Sequence, residues 1–164
     1  MTNETLSLPR VAARDLTGAT RWLPDAVDAA YGLVFIAFRR EQQDSIDSWA
    51  PWLAGPGARA GIVGYEVPVI GGRWRPVRRL IDAGMAGAVR ELDARWRTLT
   101  IYGDVRRVSE PLGIDDRSTV WLFLVRRGGV VLATARGAYD PATAERLIIA
   151  ARDGGAVETP DPGV

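Results

Sequence analysis

Apolar positions in this chain fall in short continuous runs separated by polar turns. Residues 33–38 (Leu-Val-Phe-Ile-Ala-Phe) are apolar without alternation. That pattern predicts a strand covered on both faces, as at the centre of an α/β sheet. A charged turn, Arg39-Arg40-Glu41-Gln42-Gln43-Asp44, follows at once, and a helix is expected from Gln43 to about Leu53. Ile46, Trp49, Ala50 and Leu53 would form its apolar face. Pro51 predicts a kink or an early stop, and Gly55-Pro56-Gly57 its end.

Weaker signals fill in the rest of the chain. Residues 13–22 suit a small hairpin turning at Thr17-Gly18, and Pro24 a short helical turn after it. Residues 60–70 read as a second strand, where Gly64 and Pro68 predict a bulge or an exposed end. The longest helix is expected from Pro76 to about Trp96. Gly84 and Gly87 inside it suggest close backbone packing or a dimer contact. Residues 99–102 are a third strand, and Asp104 can cap a short helix through Val105, Val108 and Leu112. Strands at 119–125 and 130–135 are joined by the turn 126–129, and a last helix starts at Asp140-Pro141. Residues 1–12 are expected as a loose arm, 13–152 as the domain and 153–164 as a disordered tail.

The element order is then β-α-β-α-β-α-β-β-α. Helix-linked strands imply parallel crossovers, and the final hairpin adds an antiparallel edge.

Composition narrows the chemistry. The 164 residues suit one soluble domain, and a net charge of +1 provides no global field to draw in nucleic acid or a membrane. The chain has no Cys and no His, and all 21 basic residues are Arg. Thiolates, imidazole bases, imidazole or thiolate metal ligands and lysine Schiff bases are therefore excluded, and no cofactor is expected. The Arg bias favours recognition of carboxylates and anions, and it reads equally well as a coding bias. Residues 1–5 lack the basic start and apolar core of a secretory signal. No apolar run approaches the roughly 18 residues of a membrane span. The expectation is a cytoplasmic protein without membrane insertion.

A family resemblance rests on three features: the apolar strand entering a turn and a Pro-kinked helix (33–53), the late hairpin (120–136) closing on Gly137-Ala138, and the helix from Pro141. Together they resemble the thioredoxin-like superfamily, whose fold with an inserted helix and strand has the order given above. The implied architecture is a central mixed sheet flanked by helices, with an N-terminal hairpin. Segments 38–49, 65–68 and 81–85 are similar to a non-redox branch containing the mitochondrial ATP synthase assembly factors and bacterial relatives. The redox members carry a Cys-x-x-Cys pair where this chain has, within one residue, Glu41-Gln42-Gln43-Asp44. They also carry a cis-proline where it has Ser118-Thr119-Val120. Thiol–disulfide exchange and Cys-dependent peroxidase chemistry are thus closed to this chain acting alone.

Several candidate sites remain. Arg39 and Arg40, at the end of the central strand, can form an anion or carboxylate site or pair with neighbouring acids. Glu41 and Asp44 can share a helix face and bind a cation or do acid–base work, or can simply complement a helix N-terminus. Arg73, Trp74 and Arg75 head a basic cluster. An exposed Trp52 and Trp74 would form a protein-binding patch, with packing against loops as the alternative. The expected activity is binding of a protein partner as an assembly or chaperone-type factor. A small-molecule or anion site at Arg39, Arg40, Glu41 and Asp44 is the alternative, and a homodimer a third reading.

Overall fold

The computed structural model describes residues 5–71, 97–103 and 105–156, with Gly155 and Ala156 described by their backbone alone. The expected helix from Pro76 to Trp96, its Gly84 and Gly87, the Arg73-Trp74-Arg75 cluster and Asp104 lie outside these residues.

Two apolar strands hold the molecule together. β3 (Tyr31–Ala37) and β6 (Trp121–Arg126) run antiparallel, from Tyr31 opposite Arg126 to Ile36 opposite Trp121. β4 (Ile62–Gly71) lies parallel to β3 on its other side, and β5 (Ile101–Gly103) lies parallel to β4. β7 (Val131–Arg136) returns antiparallel to β6, giving the order β5-β4-β3-β6-β7. This is the thioredoxin fold with an inserted edge strand. One expectation is corrected: although a helix lies between β5 and β6, β6 enters antiparallel to β3, so that connection is no parallel crossover.

Successive strand residues point to opposite faces. On one face Val34, Ile36, Val67, Val69, Phe123 and Val125 are buried beneath β1 (Val11–Arg14) and β2 (Thr20–Leu23), the predicted hairpin. Val108, of the short helix α4 (Arg106–Ser109), joins that layer. The Asp15 carboxylate shapes the hairpin turn, accepting from the Thr17 N–H at 2.9 Å and the Ala19 N–H at 3.1 Å. Pro24 follows a cis peptide bond and opens a hydrogen-bonded turn in place of the expected helical one.

On the opposite face Leu33, Phe35, Leu122 and Leu124 pack against helices. The helix expected over 43–53 is broken into α1 (Gln43–Asp47), α2 (Ala50–Ala54) and α3 (Pro56–Arg59). Pro51 opens α2, Gly55 ends it as expected, and Pro56 opens the further helical turn α3. Trp49 and Trp52, three residues apart, are both buried, while Ala50 is exposed. Gly64 and Pro68 produce no register shift: β3 and β4 pair without interruption from Tyr31–Ile62 to Ala37–Pro68. Gly64 faces Leu53 of α2, where an added β-carbon would come within 2.8 Å of the Leu53 Cδ1 and push that side chain aside.

α5 (Pro141–Ala156) covers this face through Ala144, Leu147 and Ala151. Residues 153–156, expected in a disordered tail, are helical. Part of the expected loose arm is packed as well. Leu8 is buried and its N–H donates to the Gly129 carbonyl at 2.9 Å, while Ser7 bridges Val130. Among the described residues, no helix is long and apolar enough to cross a membrane.

Candidate functional site

β3 ends at Ala37 and the chain turns outward. Phe38 is half-buried, Arg39 is extended, and residues 40–42 form a single 3-10 turn before α1. Helix starts leave backbone N–H groups unpaired. Here the Gln42 side chain meets the need of the turn that precedes α1. Its Oε1 accepts from the N–H of Phe38 at 2.8 Å and of Arg39 at 3.3 Å. Its Nε2 donates to the Arg117 carbonyl at 2.9 Å. Gln42 is buried, whereas Arg39, Arg40, Glu41 and Asp44 are all exposed.

Two further loops meet this turn. Trp49 Nε1 donates to the Gly137 carbonyl at 3.1 Å, and the Tyr139 N–H donates to Ser48 Oγ at 2.8 Å. The Tyr139 ring stands edge-on to Trp49 at 5.2 Å and is 40% exposed. In the loop before β6, Asp116 Oδ1 accepts from the Ser118 hydroxyl at 2.6 Å and the Ser118 N–H at 2.8 Å. These bonds hold the Asp116 carboxyl below its usual value of 3.8, helped by the nearby Arg136 and Arg39. Arg136 lies over the Trp121 ring at 3.9 Å and reaches Asp115 at 3.6 Å. Trp121 Nε1 donates to the Asp116 carbonyl at 2.7 Å, closing the network.

The structure thus brings Arg39 and Arg136 to Asp116 and ties the turn at 38–42 to the Arg117 loop, with Tyr139 held at the junction of α1 and α2; Arg39, Arg40, Glu41 and Arg117 are exposed. Asp44 sits in the first turn of α1, makes no capping bond, and suits the positive helix end. No cluster of three or more potential metal ligands forms among the described residues. Trp52 departs from expectation: at 5% exposure it packs inward, with Gly57 against its ring, and cannot belong to a surface patch. The exposed tryptophan among the described residues is Trp22, at 45%. Sequence reasoning did not single out Gln42, Asp116, Arg136 or Tyr139. The one available signal was the short spacing between Asp116 and Ser118, which suits a side-chain turn.

Two concavities stand out among the described residues. One, of about 560 Å³, is lined by Pro9, Arg10, Arg106, Arg107, Glu110 and Pro111. The other, of about 310 Å³, lies between Val11, Ala12 and Trp22 on one side and Ile101, Tyr102 and Gly103 on the other, with Arg107 common to both. Neither includes any of residues 39–44.

Comparison of the sequence with protein-family models and with curated proteins gave no match. Solved structures do resemble it. A thiol:disulfide interchange protein from Bacteroides sp. aligns over 94% of this chain and 95% of its own length, at 18% identity and a TM-score of 0.58. Peroxidoxin BcpB from Mycobacterium tuberculosis aligns over 91% and 96%, at 15% identity and 0.57. Yeast Sco1, solved with copper bound, aligns over 98% of both chains, at 14% identity and 0.56. At these identities the likeness concerns architecture alone: the chain has a thioredoxin-like fold.

Proposed function

We propose that this chain works by binding another protein through the surface formed by residues 39–41, Arg117, Arg136 and Tyr139, in an assembly or chaperone-type role. The observation that carries this reading is the way the surface is held. Exposed Arg39, Arg40 and Tyr139 project from loops tied together by the buried Gln42, Trp49 and the Ser48 hydroxyl. Exposed guanidinium groups and an aromatic ring on a pre-organised backbone are the residue types that dominate protein interfaces. The partner surface this arrangement suits carries carboxylates around an apolar or aromatic centre.

The test places a photo-crosslinking phenylalanine analogue at position 139 and, as a control, at the exposed Ile149 of α5. One defined partner crosslinked from position 139 and not from 149, and lost in Arg39→Glu/Arg40→Glu, is the expected result. Equal labelling from both positions, or labelling unaffected by the charge reversal, overturns the reading. A crosslinked product with the mass of two chains would make the partner a second copy.

A further inference from the structure

The N-terminal hairpin joins the main sheet at one point. Arg14 donates to the Thr100 carbonyl at 2.8 Å and accepts from the Thr100 N–H at 2.9 Å. The backbone groups of Arg14 therefore face β5, and in an extended strand those of Ala12, two residues earlier, face the same way. Yet Ala12 has no bridge to β5. Beyond Arg14 the two strands part, and the concavity of about 310 Å³ opens between them. Ala12 and Trp22 are paired residues of the hairpin that do not exchange hydrogen bonds, so the Ala12 N–H and C=O are left to that opening. Ala12 is exposed.

Side chains around this free stretch of edge have a consistent character. Trp22 presents an exposed ring with the Arg10 guanidinium 4.8 Å from its centroid. Arg107 is exposed, makes no ion pair among the described residues, and lines both concavities. Arg106 lies beside it, paired with Glu110, which is the one carboxylate among the described lining residues. Unpaired strand backbone binds a further strand by main-chain hydrogen bonds, and the flanking side chains choose its sequence. Guanidinium groups choose carboxylates.

We infer that the β1 edge at Ala12 is a docking site for an extended, acidic segment of a partner protein. The segment adds as a strand beside Ala12, lays an apolar side chain on Trp22, and places carboxylates against Arg107 and Arg10. This site is separate from the Arg39–Arg40 surface and stands or falls independently of it.

Backbone-amide NMR with two synthetic probes tests the inference: acetyl-Glu-Val-Glu-Val-Glu-amide and its Lys counterpart. Saturable shifts of the Ala12 and Tyr102 amides with the acidic peptide, at least tenfold tighter than with the basic one, are expected. Ala12→Pro removes the N–H facing the opening without touching a hydrogen bond of the hairpin. Arg107→Glu changes only an exposed charge. Each should weaken binding at least tenfold, and Arg39→Glu/Arg40→Glu should leave it unchanged. Should Ala12→Pro disturb the fold, Arg107→Glu alone decides. Absence of shifts, equal binding of both peptides, shifts centred on residues 39–41, or tighter binding of single-stranded oligothymidine at the same amides overturns the inference.

Discussion

The side-chain amide of Gln42 donates to the backbone carbonyl of Arg117 at 2.9 Å, joining positions 75 residues apart in sequence. The same side chain accepts from the Phe38 N–H at 2.8 Å, so one buried residue serves the turn after β3 and the loop before β6 together. Gln42→Ala would strand both backbone groups, and an unsatisfied buried group costs about 1–3 kcal/mol. Chemical denaturation should show a loss in that range, against less than about 0.5 kcal/mol for Arg40→Ala on the same turn.

The two tryptophans of the broken helix should behave as core residues. Trp52→Ala is expected to cost about 3–5 kcal/mol, since Trp52 packs against Trp49 at 5.5 Å and is 5% exposed. Trp22→Ala should shift the denaturation midpoint far less. Similar losses for the two would contradict the burial described.

At Gly32, in the middle of the central sheet, an added β-carbon would run into Val27 Cγ1 and come within 3.3 Å of the Tyr65 ring. Tyr65 is anchored, its hydroxyl donating to Asp28 Oδ1 at 3.0 Å, so the ring cannot retreat without breaking that bond. Gly32→Ala should destabilise by about 1–3 kcal/mol, with the change visible in the Tyr65 ring resonances.

Glu66 gives the stability its pH dependence on the helix side of the sheet. Burial raises its carboxyl above the ordinary 4.5, a hydrogen bond from Gln43 opposes this, and the charge of Asp47 adds to the rise. A carboxyl raised in the folded chain contributes stability that is fully present below its unfolded pKa and is lost as pH climbs through the folded value. Glu66→Gln should therefore be more stable than wild type at pH 7, with the gap closing as pH falls through the raised folded value towards the ordinary 4.5. Parallel stability curves for the two proteins between pH 4 and 7.5 would contradict this.

Much of the fold could be read from the residues. Unalternating runs at 33–38 and 120–125 mark strands with both faces covered, and residues 31–37 and 121–126 are the central pair. Arg126 to Gly129 marks a hairpin, because Gly128 and Gly129 can take the positive φ the turn requires. The broken helix was less legible. Trp52 falls outside the apolar face read from Ile46, Trp49, Ala50 and Leu53, yet it stands three residues from Trp49 and is buried against its ring. Gln42 was hidden for another reason. A glutamine within a charged run looks solvated, and its burial depends on a carbonyl supplied 75 residues later. The candidate surface was half visible: Arg39 and Arg40 sit where a strand ends, but Arg136 and Tyr139 join them through tertiary structure alone.

The course of the N-terminal segment has a consequence for self-association. Residues 6–8 run beside the start of β7, and Arg14 is bonded beside β5, so one short stretch covers part of both outer strands of the sheet. Exposed outer strands are templates for chain-to-chain pairing. Proteolytic removal of residues 1–10 would uncover the β7 side while leaving Arg14 on Thr100. The trimmed protein should therefore polymerise or dimerise through β7, which light scattering would detect.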